Sequence, residues 1–87
     1  MVYLVTYDLR KPKQNYQGLY EELKRSLGWW HYLDSTWLIA TSESAADIFH
    51  RLAIYLDTSD NILIIQVTKN YYGWLPKESH AWLQQTL

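Results

Sequence analysis

Eighty-seven residues make one small domain, and a chain of this size buries only about 60–65% of its unfolded surface, so a separate cofactor domain is excluded. With 48% apolar and 20% charged residues and two prolines, the composition is that of a folded domain and not of a disordered chain. Eight Lys and Arg against nine Asp and Glu give a formal charge of -1, without the positive field of duplex-binding proteins, and zero cysteines exclude disulfides, thiolate catalysis and cysteine-ligated metal centres.

Residues 2–8 (VYLVTYD) are β-branched and aromatic and read as a strand ending at Asp8. Residues 9–15 (LRKPKQN) form a basic loop in which Pro12 keeps Lys11 out of helical geometry. From Tyr16 the apolar positions Tyr16, Leu19, Tyr20, Leu23 and Leu27 have helical spacing, with Gly28 as the stop. Residues 29–42 (WWHYLDSTWLIATS) read as a hairpin turning at Asp34-Ser35. Ser44 with Asp47 resembles a capping box, and Ala45, Ile48, Phe49 and Leu52 then make one face of a second helix running to about Tyr55. Residues 57–61 are a turn, 62–68 a fourth strand, and Pro76 suits the first position of a short closing helix.

The expected fold is α+β: a single ferredoxin-like β-α-β-β-α-β sandwich over residues 1–87, with a core to residue 70 and an aromatic tail from 71 to 87. Both sheet faces read as buried, since Tyr3, Val5 and Tyr7 alternate with Val2, Leu4 and Thr6, and Ile62 and Ile64 with Leu63, Ile65 and Val67. Two helices cover one face, and the tail or another subunit must cover the other. Seventeen residues are few for a whole sheet, so a homo-oligomer, dimer or tetramer, is expected. The longest aliphatic run, residues 62–65, is far below the roughly 20 residues of a membrane span, so a cytoplasmic protein with no membrane partner is expected.

Three segments, VTYDLR at residues 5–10, YLDSTWLI at 32–39 and DNILII at 60–65, resemble in order the small ferredoxin-like subunit of the CRISPR adaptation complex. Relatives of that subunit include virulence-associated protein D and short SinR-like proteins. The resemblance covers residues 1–68 and implies a dimer in which the aspartate ending the first strand, here Asp8, faces its symmetry mate. Some members are metal-dependent nucleases, so the resemblance also implies a role for a symmetric Asp8 pair with Mg²⁺. One carboxylate per subunit holds that ion only when a second carboxylate and phosphate oxygens complete its shell, and the plainer reading pairs Asp8 with Arg10. The charge departs from the nucleic-acid-processing members: residues 28–87 set Arg51, Lys69 and Lys77 against Asp34, Glu43, Asp47, Asp57, Asp60 and Glu78, so long duplex DNA is not the expected ligand.

Arg10, Lys11 and Lys13 are the dense basic cluster and suit a few phosphates, or else form a solvated loop. Trp29, Trp30, His31 and Tyr32 alternate, which sends Trp30 and Tyr32 to one side and Trp29 and His31 to the other. Exposed aromatics stack on nucleobases without needing a long charged track, and the same residues equally suit a dimer core. Tyr71, Tyr72 and Trp74 around Gly73 form a second aromatic group, in a loop. His31, His50 and His80 are too scattered for a metal triad, and His31 with Asp34 has only adjacency to recommend it as a catalytic pair.

The leading expectation is therefore a non-catalytic homo-oligomer that holds a small nucleotide, cyclic forms included, at subunit interfaces. The ligand residues are Arg10, Lys11, Lys13, Trp30, His31, Tyr32 and Trp74, with no metal and no cofactor. The resemblance extends this to a phage protein that sequesters immune nucleotide signals. The competing readings are a Mg²⁺-dependent nuclease using Asp8 and a protein-interaction component of a defence or toxin–antitoxin system.

Overall fold

The computed structural model describes residues 1–10 and 16–87. It is a small α+β domain with a four-stranded antiparallel sheet and three helices. The elements run β1 (Val2–Asp8), α1 (Gln17–Lys24), β2 (Gly28–Trp30), β3 (Thr36–Ala40), α2 (Ala45–Ala53), β4 (Asn61–Val67) and α3 (Lys77–Thr86), with sheet order β2-β3-β1-β4. β1 lies between β3 and β4, with Leu4 opposite Leu38 on one side and Ile65 on the other.

The core is the face under α1 and α2. Tyr3, Val5, Tyr7, Trp37 and Ile39 meet Leu19 and Leu23 of α1 and Ile48 and Leu52 of α2, all buried. The Trp37 indole N–H donates to the Tyr7 hydroxyl at 3.0 Å, which satisfies the polar atom of the largest core side chain. Gly18 lets α1 approach Tyr55, whose ring carbon would lie 2.6 Å from any added Cβ. Arg51 joins α1 to the start of α2: its guanidinium donates to the Glu22 carbonyl at 2.8 Å, to Ser26 Oγ at 3.0 Å and to the Glu43 carboxylate at 3.1 Å.

Several local expectations are met. Ser44 Oγ accepts from the Asp47 N–H at 3.2 Å and caps α2, and the chain turns between Tyr32 and Thr36 with Ser35 in the left-handed region at φ 57°. Others are corrected. Leu27 does not extend the apolar face of α1: the helix closes at Lys24 through bonds from Arg25 N–H to the Glu22 carbonyl and from Ser26 N–H to that of Leu23, leaving Leu27 exposed. Gly28 opens β2 instead of merely stopping α1, with Trp82 and Ala40 packed 3.4–3.5 Å from where a Cβ would stand. α2 buries Ile48 and Leu52, but Phe49 falls on its flank, and Pro76 caps α3 from outside its first turn.

The second sheet face is only partly covered. α3 folds back over one end, where Val2, Ser79 and Leu83 are buried. Toward the other end Leu63 and Ile65 remain 56% and 52% exposed. Among the described residues no helix is long and apolar enough to cross a membrane.

Candidate functional site

Alternation along β2 and the bend after it decides which aromatics meet. Trp29 and His31 turn to the helix side, where both pack on Trp37 with ring centroids 5.4 and 3.9 Å away. Trp30 and Tyr32 turn to the second face. There they line a groove of about 400 Å³ between the sheet and the segment leading into α3. Leu4, Leu38 and Ile65 form its floor, and Trp30, Tyr32 and Trp74 stand around it. No charged side chain lines it among the described residues, so it suits a flat, neutral ring system.

Two features of the walls bear on binding. Tyr72 and Trp74 are fully exposed on an irregular segment, offering ring faces at no packing cost. The Trp30 Nε1 atom, by contrast, is buried and has no hydrogen-bond partner among the described residues. A buried donor left unpaired costs about 1–3 kcal/mol, which an acceptor reaching it would recover.

The basic cluster lies elsewhere. Arg10 ion-pairs with Asp8 at 2.8 Å in an exposed contact, as the plainer reading of Asp8 expected; Lys11 and Lys13 lie outside the described residues. Asp8 shares the second face with Leu4 but stands four residues further along β1, a distance of about 13 Å. The predicted ligand residues are thus divided: Trp30, Tyr32 and Trp74 converge, Arg10 lies past the end of β1 in its ion pair with Asp8, and His31 is on the opposite side of the sheet from the groove.

His31 lines a shallower, polar cleft of about 570 Å³ together with Asp8, Asp34, Lys24, Tyr7 and Tyr20. Partial burial lowers the His31 pKa below its ordinary value; Lys24 adds to this and Asp34 opposes it. Burial raises the Tyr7 pKa, the Trp37 donor opposes, and Tyr20 and Asp34 add to the rise. The described residues include no group of three or more His, Asp and Glu side chains placed to hold a metal ion.

Asp60 is the residue whose role the sequence left unread. Its carboxylate accepts from the Arg10 N–H at 2.7 Å, the Asp57 N–H at 2.8 Å and the Tyr16 hydroxyl at 3.0 Å, tying both flanks of the basic loop to the start of β4. Burial by itself would raise its pKa, but these three donors outweigh it and hold the group below the ordinary carboxylate value. The only sequence signal was an aspartate in the turn before β4.

No protein-family model matches this chain, and no solved structure matches it.

Proposed function

We propose that this is a ferredoxin-like, non-catalytic binder of a small nucleotide, cyclic forms included, acting as a homo-oligomer. The observation that carries the reading is the convergence of Trp30, Tyr32 and Trp74 around one uncharged groove. A base lies flat there, and each stacking contact of this kind contributes roughly 1–3 kcal/mol. The phosphates extend along β1 toward Arg10, with Lys11 and Lys13 as further candidates, where Asp8 orients the Arg10 guanidinium. His31 belongs to the opposite side and acts in this reading only by holding the hairpin that presents Trp30 and Tyr32. Sequestration of a signalling nucleotide, as in phage immune evasion, is the biological form the family resemblance favours.

The test is calorimetry and thermal shift with a panel of mononucleotides and cyclic dinucleotides, with recovery of the ligand afterwards. Trp74→Ala is the clean variant, because Trp74 is 99% exposed and its loss leaves the core untouched. Affinity is expected to fall roughly 5- to 150-fold while the fold and melting temperature stay unchanged, and the ligand is recovered intact. If the parent binds no nucleotide, or if Trp74→Ala binds like the parent, the reading fails and a protein partner for the groove replaces it. Mg²⁺-dependent cleavage that disappears in Asp8→Ala replaces it with the nuclease.

A further inference from the structure

The two edges of the sheet are built differently. β2 is three residues long and breaks at once into bends, which is one way that proteins blunt an edge. β4 is seven residues long, and β1 is its only strand neighbour among the described residues. Its sequence, NILIIQV, contains no charge and no proline. Its ladder with β1 runs without a bulge from Val67 opposite Val2 to Asn61 opposite Asp8. Such an edge presents a full row of outward N–H and C=O groups with none of the devices that discourage pairing.

We propose that β4 is an interface that pairs antiparallel with β4 of a second copy, about a two-fold axis perpendicular to the sheet, to give one continuous eight-stranded sheet. Self-complementarity selects a second copy over a foreign strand. Centring the axis on Ile64 overlaps all seven residues and sets Leu63 opposite Ile65 of the partner subunit, so that one half-exposed apolar side chain meets another. Because the strand is neutral along its length, the pairing buries no charge and opposes none. The axis keeps the helices of both copies on one side and joins the two second faces into one surface. Both grooves stay open, whereas face-to-face packing would close them. The inference rests on the homo-oligomer of the proposed function, to which it gives a contact, and not on its ligand.

The absence of cysteine makes the test direct, since an introduced thiol reports only its own neighbour. Directly opposed residues in antiparallel strands have Cα atoms about 4.5–5.5 Å apart, within the roughly 4.4–6.8 Å that a disulfide spans. Leu63→Cys and Ile65→Cys proteins are mixed under mild oxidation and compared with each alone. The mixture is expected to give several-fold more cross-linked dimer than either variant, because like positions sit on the longer diagonal. Leu63→Lys, at an exposed position outside the groove, is expected to keep a single cooperative unfolding transition and shift light scattering to the monomer mass of 10.4 kDa. A monomeric parent at high micromolar concentration overturns the proposal. So does equal cross-linking in all three samples, or preferential cross-linking of Leu63→Cys to Tyr72→Cys, which would put the tail segment on this edge. None of these outcomes bears on nucleotide affinity.

Discussion

Along β1, Tyr3, Val5 and Tyr7 point to one face of the sheet and Val2, Leu4 and Thr6 to the other, yet only the first set is sealed along its whole length. The first face has two helices, each joined to the sheet at both ends, and their buried leucines and Ile48 close over Trp37. The second has one helix at the end of the chain, which seals Val2 and leaves Leu63, Ile65, Tyr32 and Trp74 in contact with water. An apolar stripe thus states that a face can be covered without stating by what. Where the chain supplies the cover, the stripe becomes core; where it does not, the stripe becomes a groove and an open edge.

The largest effect that separates the faces comes from truncating equivalent apolar side chains. Leu52→Ala, in the sealed core, should cost about 2–5 kcal/mol in urea unfolding, much of the roughly 4–13 kcal/mol a chain of this length possesses. Ile65→Ala, half exposed, should cost less than about 1 kcal/mol in dilute protein. Equal costs at nanomolar concentration would mean that the second face is sealed too, and the contrast would disappear.

A smaller effect probes how tightly the first face is closed. Gly18→Ala gains about 1 kcal/mol of helix propensity but forces a methyl against the Tyr55 ring, and overpacking of that kind costs about 1–3 kcal/mol. The expected net is a loss of about 1 kcal/mol. Repeating the substitution in a Tyr55→Ala background should make it stabilising, and a double-mutant cycle reads the coupling. A cycle that closes to zero would show the helix seat to be loose.

The smallest effects are in pH. Asp60 titrates below its unfolded value of about 3.9, so the stability it contributes is present above that pH and lost as pH falls through the lower folded value. His31 also titrates lower in the fold than its unfolded value of about 6.5. As a base it favours the fold fully above that pH, and stability declines as pH falls from there toward its folded pKa. Denaturation from pH 3 to 8 should therefore show two limbs. Asp60→Asn should flatten the acid one and His31→Gln the one just below neutrality; a parent curve level across pH 5–7 would remove the His31 limb.

Much of the fold was legible because its signals act over a few residues. Alternation in β1, the Ser44 cap three residues before Asp47, helical spacing in α1 and α2 and the turn near Ser35 are all local, and each element formed where its pattern lay. The split of Trp29 and His31 from Trp30 and Tyr32 was legible for the same reason, since it needs only the two-residue period of an extended chain. Leu27 and Phe49 were misread because helical spacing marks a face without saying where the helix ends or how wide its cover is.

What tertiary structure alone decided is every relation between residues distant in sequence. Asp60 reaches the Arg10 amide across 50 positions, Trp30 and Trp74 share a groove because the chain returns beside β2 and β3, and α3 happens to seal one end of the second face and not the other. Amino-acid types determined that two apolar faces, a basic loop and surplus aromatics would exist. Which of them would be neighbours depended on where the folded chain returns, because burial stabilises whichever surfaces come together and carries no information about which pair that is.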